Sequence, residues 1–320
     1  MENNRGRAVE RVIVILHKPR ERQVLKLSAS LSLEGITCRV YRDLPSGEGV
    51  RDEKGSAFGF GEDVSRMNTV IITDDRGVAA RLAAGGFICI GCEDEEGQCG
   101  ISGFFEGAAL VTDTLEALDA DVLEECLLRG TGRPVTVAYT QRLVLREITA
   151  QDAPRLYQIS TQEGMEAALA GGFEDNFFRQ ETLLAYIGHA YRFFGYGIWG
   201  VWKKDGPLIG CCGFSQNGEV AELQYMLDEA YRRMGYGTEM CAAALSYAAE
   251  RTDWQKVYVR IAAGNEPSLC LAKKLGFQGN SLQGNYSMLE YKLAVFREER
   301  KQQEGSGETA LPGEMCQRQK

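Results

Sequence analysis

Continuous apolar runs and apolar residues at helical spacing take turns along the first part of the chain. Arg11 to Leu16, with VIVIL inside it, reads as a buried strand, and Arg20 to Leu33 carries apolar positions at helical intervals. The unit repeats in kind. Val70 to Ile72 predicts a strand ending in Thr73, Asp74 and Asp75, Val78 to Ala84 a helix closed by Gly85-Gly86, and Phe87 to Ile90 another strand. Ala109 to Val111 and Leu115 to Leu128 add one more strand and helix, while Pro45 to Gly61, rich in Gly and charge, reads as a loop. Strands alternating with helices predict a small parallel α/β domain.

Thr131-Gly132-Arg133-Pro134 is breaker-rich and fits a connection between domains. After it the pattern changes to alternation of apolar and polar residues. Thr140 to Glu147 predicts a strand, with Thr149 as a helix cap answered by Asp152. Helices are expected over Ala153 to Ile159 and Arg179 to Tyr191, then strands over Gly197 to Trp202 and Leu208 to Phe214, joined by the hairpin signal Lys203-Lys204-Asp205-Gly206. Val257 to Ile261 is another strand, Ser268 to Lys274 a helix stopped by Gly276, and Tyr286 to Leu293 a last strand. The expected organisation is an α/β domain over 1–135, a mixed-sheet α/β domain over 136–297 and a disordered polar tail over 298–320.

Ala221 to Met240, AELQYMLDEAYRRMGYGTEM, stands out within that second domain. Glu222, Gln224, Met226 and Asp228 alternate with Leu223, Tyr225 and Leu227 as on a strand, and Met240, Ala243, Ala244, Leu245, Tyr247 and Ala248 then fall at helical spacing. Gly235 and Gly237 stand at the junction. Glycines there let the backbone approach an anion, and the unpaired N–H groups of the first helical turn face it with the helix dipole. The physical expectation is a phosphate or pyrophosphate seat; a plain tight turn is the structural alternative.

The net charge of −9 argues against a nucleic-acid partner and would suit a basic peptide or polyamine, or simply keep an acidic protein soluble. A hydrophobic content of 44% with 25% charged residues is that of a globular chain. No stretch approaches the roughly 18 apolar residues of a membrane span, and the polar start Met1 to Arg11 has no signal-peptide core behind it, so a cytoplasmic location is expected. Cys89-x-x-Cys92 with Cys99 has something of a metal-site spacing, but no fourth ligand stands nearby and the histidines are His17 and His189 alone. Free thiols and no metal are expected. Asp74 and Asp75 have the chemistry for a cation, with a solvated loop or helix cap as the plainer reading.

Three motifs in order, TQRLVLREITAQD, YRRMGYGTEM and NEPSLCLAKKLGF, resemble the GNAT superfamily of N-acetyltransferases, in the subgroup that includes the ribosomal-protein-alanine N-acetyltransferases. The resemblance covers about half the chain. It implies a twisted mixed sheet splayed beside a central strand, acetyl-CoA as acyl donor, and an amine acceptor, either a protein N-terminus or a small molecule. Separately, VIITDDRGVAARLAAGGFICIG resembles the later part of a haloacid-dehalogenase-like domain. That family's DxDxT nucleophile is missing, because the first strand leads into Leu16, His17, Lys18 and Pro19. The first domain is therefore expected to be degenerate and to lack phosphatase activity.

Acyl transfer from a thioester to an amine needs a held donor, a neutral amine, a polarised carbonyl and a protonated leaving thiol. The turn Arg232, Arg233, Met234, Gly235, Tyr236, Gly237 and Thr238 is expected to hold the pyrophosphate through main-chain N–H groups, with Arg232 and Arg233 adding charge. The resemblance pairs the pantetheine arm with main-chain groups of Met226 and Leu227, and adds Asn265 as a further contact to the arm. Glu222 is the expected general base, on the strand feeding the turn, with Glu219 as a neighbouring candidate; an exposed strand glutamate is the structural alternative. Ala272 occupies the position of the family's tyrosine acid, seven residues after Asn265. Ser268 is then implied to protonate or orient the leaving sulfur, or serves as a helix-start cap. Phe173, Phe177, Phe178, Tyr191, Phe193 and Phe194 are candidates for an acceptor pocket, or core. An acyl-CoA-binding sensor without turnover is the alternative function.

Overall fold

A computed structural model describes residues 7–43, 46–51, 57–58, 64–93, 105–165, 169, 173, 176–217, 220–294 and 297. The chain divides into two compact units, Met1–Val135 and Thr136–Lys320. Glu219, Cys99 and the polar tail beyond Arg297 lie outside the described residues. Among the described residues no helix is long and apolar enough to cross a membrane.

In the first unit β1 (Arg11–Ile15), β2 (Thr37–Tyr41), β5 (Thr69–Thr73), β6 (Ile88–Cys92) and β7 (Leu110–Thr112) form a parallel sheet in the order β2-β1-β5-β6-β7. The period of two divides the apolar side chains between its faces. Val12 and Val14 pack with Leu27 and Leu31 of α1 (Glu21–Leu33) and with Leu123 and Leu127 of α3 (Ala120–Gly130). Ile13 and Ile15 pack on the other face with Val78 and Leu82 of α2 (Arg76–Ala84). This is a doubly wound arrangement, each face covered by helix, which is why β5 and β6 are buried along their whole length.

Two expectations are corrected here. Pro45 to Gly61 is not all loop, since β3 (Ser46–Arg51) pairs with β4 (Ala57–Phe58). Leu115 to Leu128 is not one helix: a 3-10 turn, Leu115–Ala117, precedes α3, whose start is set by Asp119 accepting the Val122 N–H at 2.8 Å. Asp75 is a helix cap, accepting from Val78 N at 2.8 Å, and Asp74 accepts from the main-chain N–H groups of His17 and Lys18, each at 3.0 Å.

The second unit is an eight-stranded mixed sheet in the order β14-β15-β13-β12-β11-β10-β9-β8. Its strands are β8 (Thr136–Tyr139), β9 (Leu143–Glu147), β10 (Ile198–Lys203), β11 (Leu208–Asn217), β12 (Val220–Leu227), β13 (Lys256–Ala262), β14 (Gln278–Gln283) and β15 (Tyr286–Lys292). Thr149 and Asp152 form the expected capping box before α4 (Ala153–Ser160). The β10–β11 hairpin turns at Asp205, whose φ of 55° is the left-handed conformation that Asp tolerates in such turns. One face of the sheet packs on α6 (Tyr236–Arg251), through Leu223, Met240, Ala244 and Leu245. The other packs on α4 and on α5 (Gln180–Phe194), through Leu156, Ile159, Leu183 and Met226. The last helix, α7 (Glu266–Lys274), follows β13.

Among the described strands of this sheet only β12 and β13 run parallel, and their pairing is short: Ala221 with Val257 and Glu222 with Tyr258. Beyond that point β12 continues to Leu227 with β11 alone at its side, so the sheet splits open at its centre.

Candidate active site

The split leaves one edge of β12 without a ladder from Leu223 onward. Asp228 N–H donates to Ile209 O at 2.8 Å, which fixes the even-numbered residues of this strand as the ones facing β11. Main-chain groups of Leu223, Tyr225 and Leu227 therefore point into the split. Of the two residues expected to hold a pantetheine arm, Leu227 faces the opening and Met226 faces β11. The carbonyl of Leu227 is already bound by Arg232 Nε at 3.1 Å, which leaves its N–H and both groups of Tyr225 as the edge.

Following the strand, Arg233 at φ 60° and Gly235 at φ 83° bend the chain sharply into α6. Gly235 is the N-cap and contributes no side chain; the first helical bond is from Glu239 N to Gly235 O at 3.1 Å. The N–H groups of Tyr236, Gly237 and Thr238 precede it, as an anion seat requires. Arg232, expected to add charge here, does not: its guanidinium turns back to Leu227 O and Met165 Sδ. Arg142 takes up the space beside the turn instead, lying 4.2 Å from the Tyr236 ring and donating to Met234 O at 3.0 Å.

Side chains of Glu222, Gln224 and Asp228 project to the opposite face from α6, and all three are buried. Glu222 is 4% exposed, and its Oε1 accepts from Arg260 Nε at 3.2 Å. Burial pushes the Glu222 carboxyl above its ordinary value, and the charge of Arg260 opposes that rise. The expectation of an exposed strand glutamate is thus excluded. Gln224 Nε2 donates to Ser215 Oγ at 2.7 Å on the neighbouring strand. Asp228 is held by Gln162, by the Ala230 N–H and by Arg155; against the effect of burial these bonds keep its carboxyl below the usual range.

Asn265 caps α7, its Oδ1 accepting from Ser268 N at 3.2 Å, so Ser268 stands in the third helical position and is not itself the cap. Tyr225, which sequence reasoning did not single out, reaches from the opened edge to donate its hydroxyl to Ser268 O at 3.4 Å. Burial raises its phenol well above the ordinary value. Its place on β12 beside the motif was visible, but its reach to α7 follows only from the fold. Ala272 is buried.

The aromatic residues proposed for an acceptor pocket are largely core. Phe177 and Phe178 meet edge to face with ring centroids 5.0 Å apart, and Phe178 is buried. Tyr191 accepts from Ile148 N at 3.1 Å and donates to Ile198 O, which makes it an internal brace. Phe194 is exposed beside Tyr196, and the side chain of Phe193 lies outside the described residues. Cys89 and Cys92 are buried, and burial pushes the Cys89 thiol up to about 12. Among the described residues no group of three or more His, Cys, Asp and Glu could hold a metal ion.

Residues 142–278 match the family described as the acetyltransferase (GNAT) domain. Over this stretch the chain is similar to GNAT acetyltransferases. An uncharacterized N-acetyltransferase of Bacillus subtilis (strain 168), YoaA, is 28% identical over 157 residues, 46% of this chain and 85% of that protein. The alpha/beta-tubulin-N-acetyltransferase 9 of Mus musculus is 32% identical over 83 residues, 26% of this chain and 34% of that protein. Among solved structures, an acetyltransferase from Agrobacterium tumefaciens str. C58 is similar with a TM-score of 0.43 and 20% identity, over 49% of this chain and 94% of that one. The ribosomal L7/L12 alpha-N-protein acetyltransferase RimL in complex with coenzyme A gives 0.41 and 18%, over 49% and 98%.

Proposed function

We propose that the GNAT-like domain transfers the acetyl group of acetyl-CoA to a primary amine, a protein N-terminus or a small molecule, by direct attack in a ternary complex. The observation that carries this is the split beside β12. It opens one residue past Glu222, runs along the free edge of Tyr225 and Leu227, and ends at the open N-terminus of α6. The pantetheine arm of acetyl-CoA lies along this edge, with the pyrophosphate of the same molecule at Gly235 to Thr238. Glu222, on the opposite face, receives a proton from the arriving ammonium, directly or through water. The amine nitrogen then attacks the thioester carbonyl, whose oxygen is polarised by a main-chain N–H of the edge; such a donor contributes about 3 kcal/mol in the transition state. The C–S bond breaks, the acylated nitrogen gives up one proton and the leaving thiolate takes one, with the Ser268 hydroxyl as the candidate to protonate or orient the sulfur.

An acyl-CoA-binding sensor is the second reading, favoured by buried Ala272 where a tyrosine acid would stand. Thiol release from acetyl-CoA against a panel of small amines and N-terminal peptides separates the two. Release that depends on an amine supports the transferase; CoA binding without release on any acceptor supports the sensor. The likeness of the first unit to a haloacid-dehalogenase-like domain is likewise a proposal, supported by its parallel sheet and by α2 following the acidic end of β5. It is assigned no phosphatase chemistry, because Asp74 is occupied by the main chain of His17 and Lys18. Free thiols at Cys89, Cys211, Cys212 and Cys241 accord with a reducing cytoplasm.

A further inference from the structure

On its helix side the turn that would receive the pyrophosphate is anchored by Tyr236, which is buried and meets the Tyr231 ring edge-on at 6.2 Å. Gly235 caps α6 without a side chain, Arg233 is in a left-handed conformation unfavourable for a residue with a Cβ, and Met234 between them is 56% exposed. A further restraint on Met234 comes from 92 residues earlier in the chain. Arg142 Nη1 donates to Met234 O at 3.0 Å, its Nε and Nη2 each lie 2.7 Å from Glu239 Oε2, and its main-chain N–H donates to Glu239 Oε1 at 2.8 Å. The Thr140 hydroxyl donates to Glu239 Oε1 as well.

We propose that Arg142 and Glu239 are positioning residues that keep the Met234–Thr238 turn in its anion-accepting shape, with Arg142 also cancelling a carboxylate at the mouth of the seat. The proposal rests on the acetyl-CoA reading above. Two physical effects combine. The guanidinium ties the turn to the start of β9, so the helix N–H groups are aimed before any ligand arrives. Its charge also meets that of Glu239, which stands in the first turns of α6 and would otherwise repel a pyrophosphate at that helix N-terminus. Hydrogen bonds from Thr140 and Arg142, together with the Arg142 charge, hold the Glu239 carboxyl below its usual range in spite of partial burial. The carboxylate is therefore ionised, and neutralising it is left to Arg142.

The test is calorimetric titration of the full chain with CoA and, separately, with pantetheine, which lacks the phosphates. Arg142→Met is expected to weaken CoA at least about tenfold, as expected for breaking a hydrogen-bonded charge pair, and to leave pantetheine within about twofold. Arg142→Met combined with Glu239→Gln is expected to recover part of the CoA affinity, because the repelling charge is gone. Arg142→Lys, which keeps the charge without the fork, is expected to fall between and serves if the methionine variant folds poorly. Equal losses for CoA and pantetheine, or no loss for CoA, would overturn the proposal. Failure of the folded wild type to bind CoA at all would overturn the acetyl-CoA reading beneath it.

Discussion

Glu222 Oε1 and Arg260 Nε meet at 3.2 Å across β12 and β13, Glu222 standing with Tyr258 in the last residue pair before those strands separate and Arg260 lying just beyond it. A buried carboxylate beside a half-exposed guanidinium is pulled two ways, upward by burial and downward by the cation, and burial prevails. A base so placed should titrate above the ordinary glutamate value of about 4.3. The rate of acetyl transfer at saturating acetyl-CoA should therefore rise with pH along a limb centred above that value. Glu222→Gln should remove the limb and slow the reaction by about 10²- to 10⁴-fold while CoA still binds. An unchanged limb in the glutamine variant would assign the base elsewhere.

Arg260 restrains that rise. Replacing it with Met takes away the opposing charge, so the limb should move to higher pH, whereas Arg260→Lys should keep it near its wild-type position. The same displacement should be visible without turnover, in the carboxyl ¹³C shift of Glu222 followed through a titration of the two variants. A methionine variant with the wild-type midpoint would show that the pair has no bearing on the proton.

Acid should loosen the second unit through Asp228 and Glu239, whose carboxyls are both held low in the folded state. A depressed carboxyl stabilises the fold above its unfolded value, about 3.9 for Asp and 4.3 for Glu, and that contribution disappears as pH falls through the lower folded value. The melting temperature should thus drop between about pH 4 and pH 2. Asp228→Asn should lower it at neutral pH and flatten this fall; a parallel curve would exclude Asp228 as a source.

Two glycines of the second unit should respond oppositely to alanine. A Cβ at Gly213 would lie 2.0 Å from Gly197 O, inside the sheet where neither strand can yield, and Gly213→Ala should cost about 1–3 kcal/mol or more. Gly188, within α5, has nothing within 4 Å of an added Cβ, so Gly188→Ala should stabilise by about 0.5–1 kcal/mol. Denaturant midpoints would check both.

Periodicity revealed the elements whose burial is one-sided or complete, such as β1, β5 and β12. It missed β2, an edge strand whose Thr37 and Val40 are exposed, and the short β8 and β14. The glycine turn and Glu222 were legible because strand, turn and helix are contiguous. The partnership of Arg142 with Glu239 was not, since it joins distant positions and depends on β9 lying beside α6. Nor does spacing reveal a rotamer: Arg232 stands in the motif, yet its guanidinium turns back to Leu227 O. The alternation that placed Glu222 and Met226 on one face also determines that Met226 turns its main chain to β11, a consequence that needed the pairing of Asp228 with Ile209 to become visible.

The account depends most on the split and the turn together forming a seat for acetyl-CoA. Calorimetric titration of the purified full-length chain with acetyl-CoA, followed in the same preparation by thiol release on adding amines and N-terminal peptides, tests that most directly. The account predicts saturable one-to-one binding, then thiol release that requires an amine and is lost in Glu222→Gln. A folded protein that takes up no acetyl-CoA would contradict it.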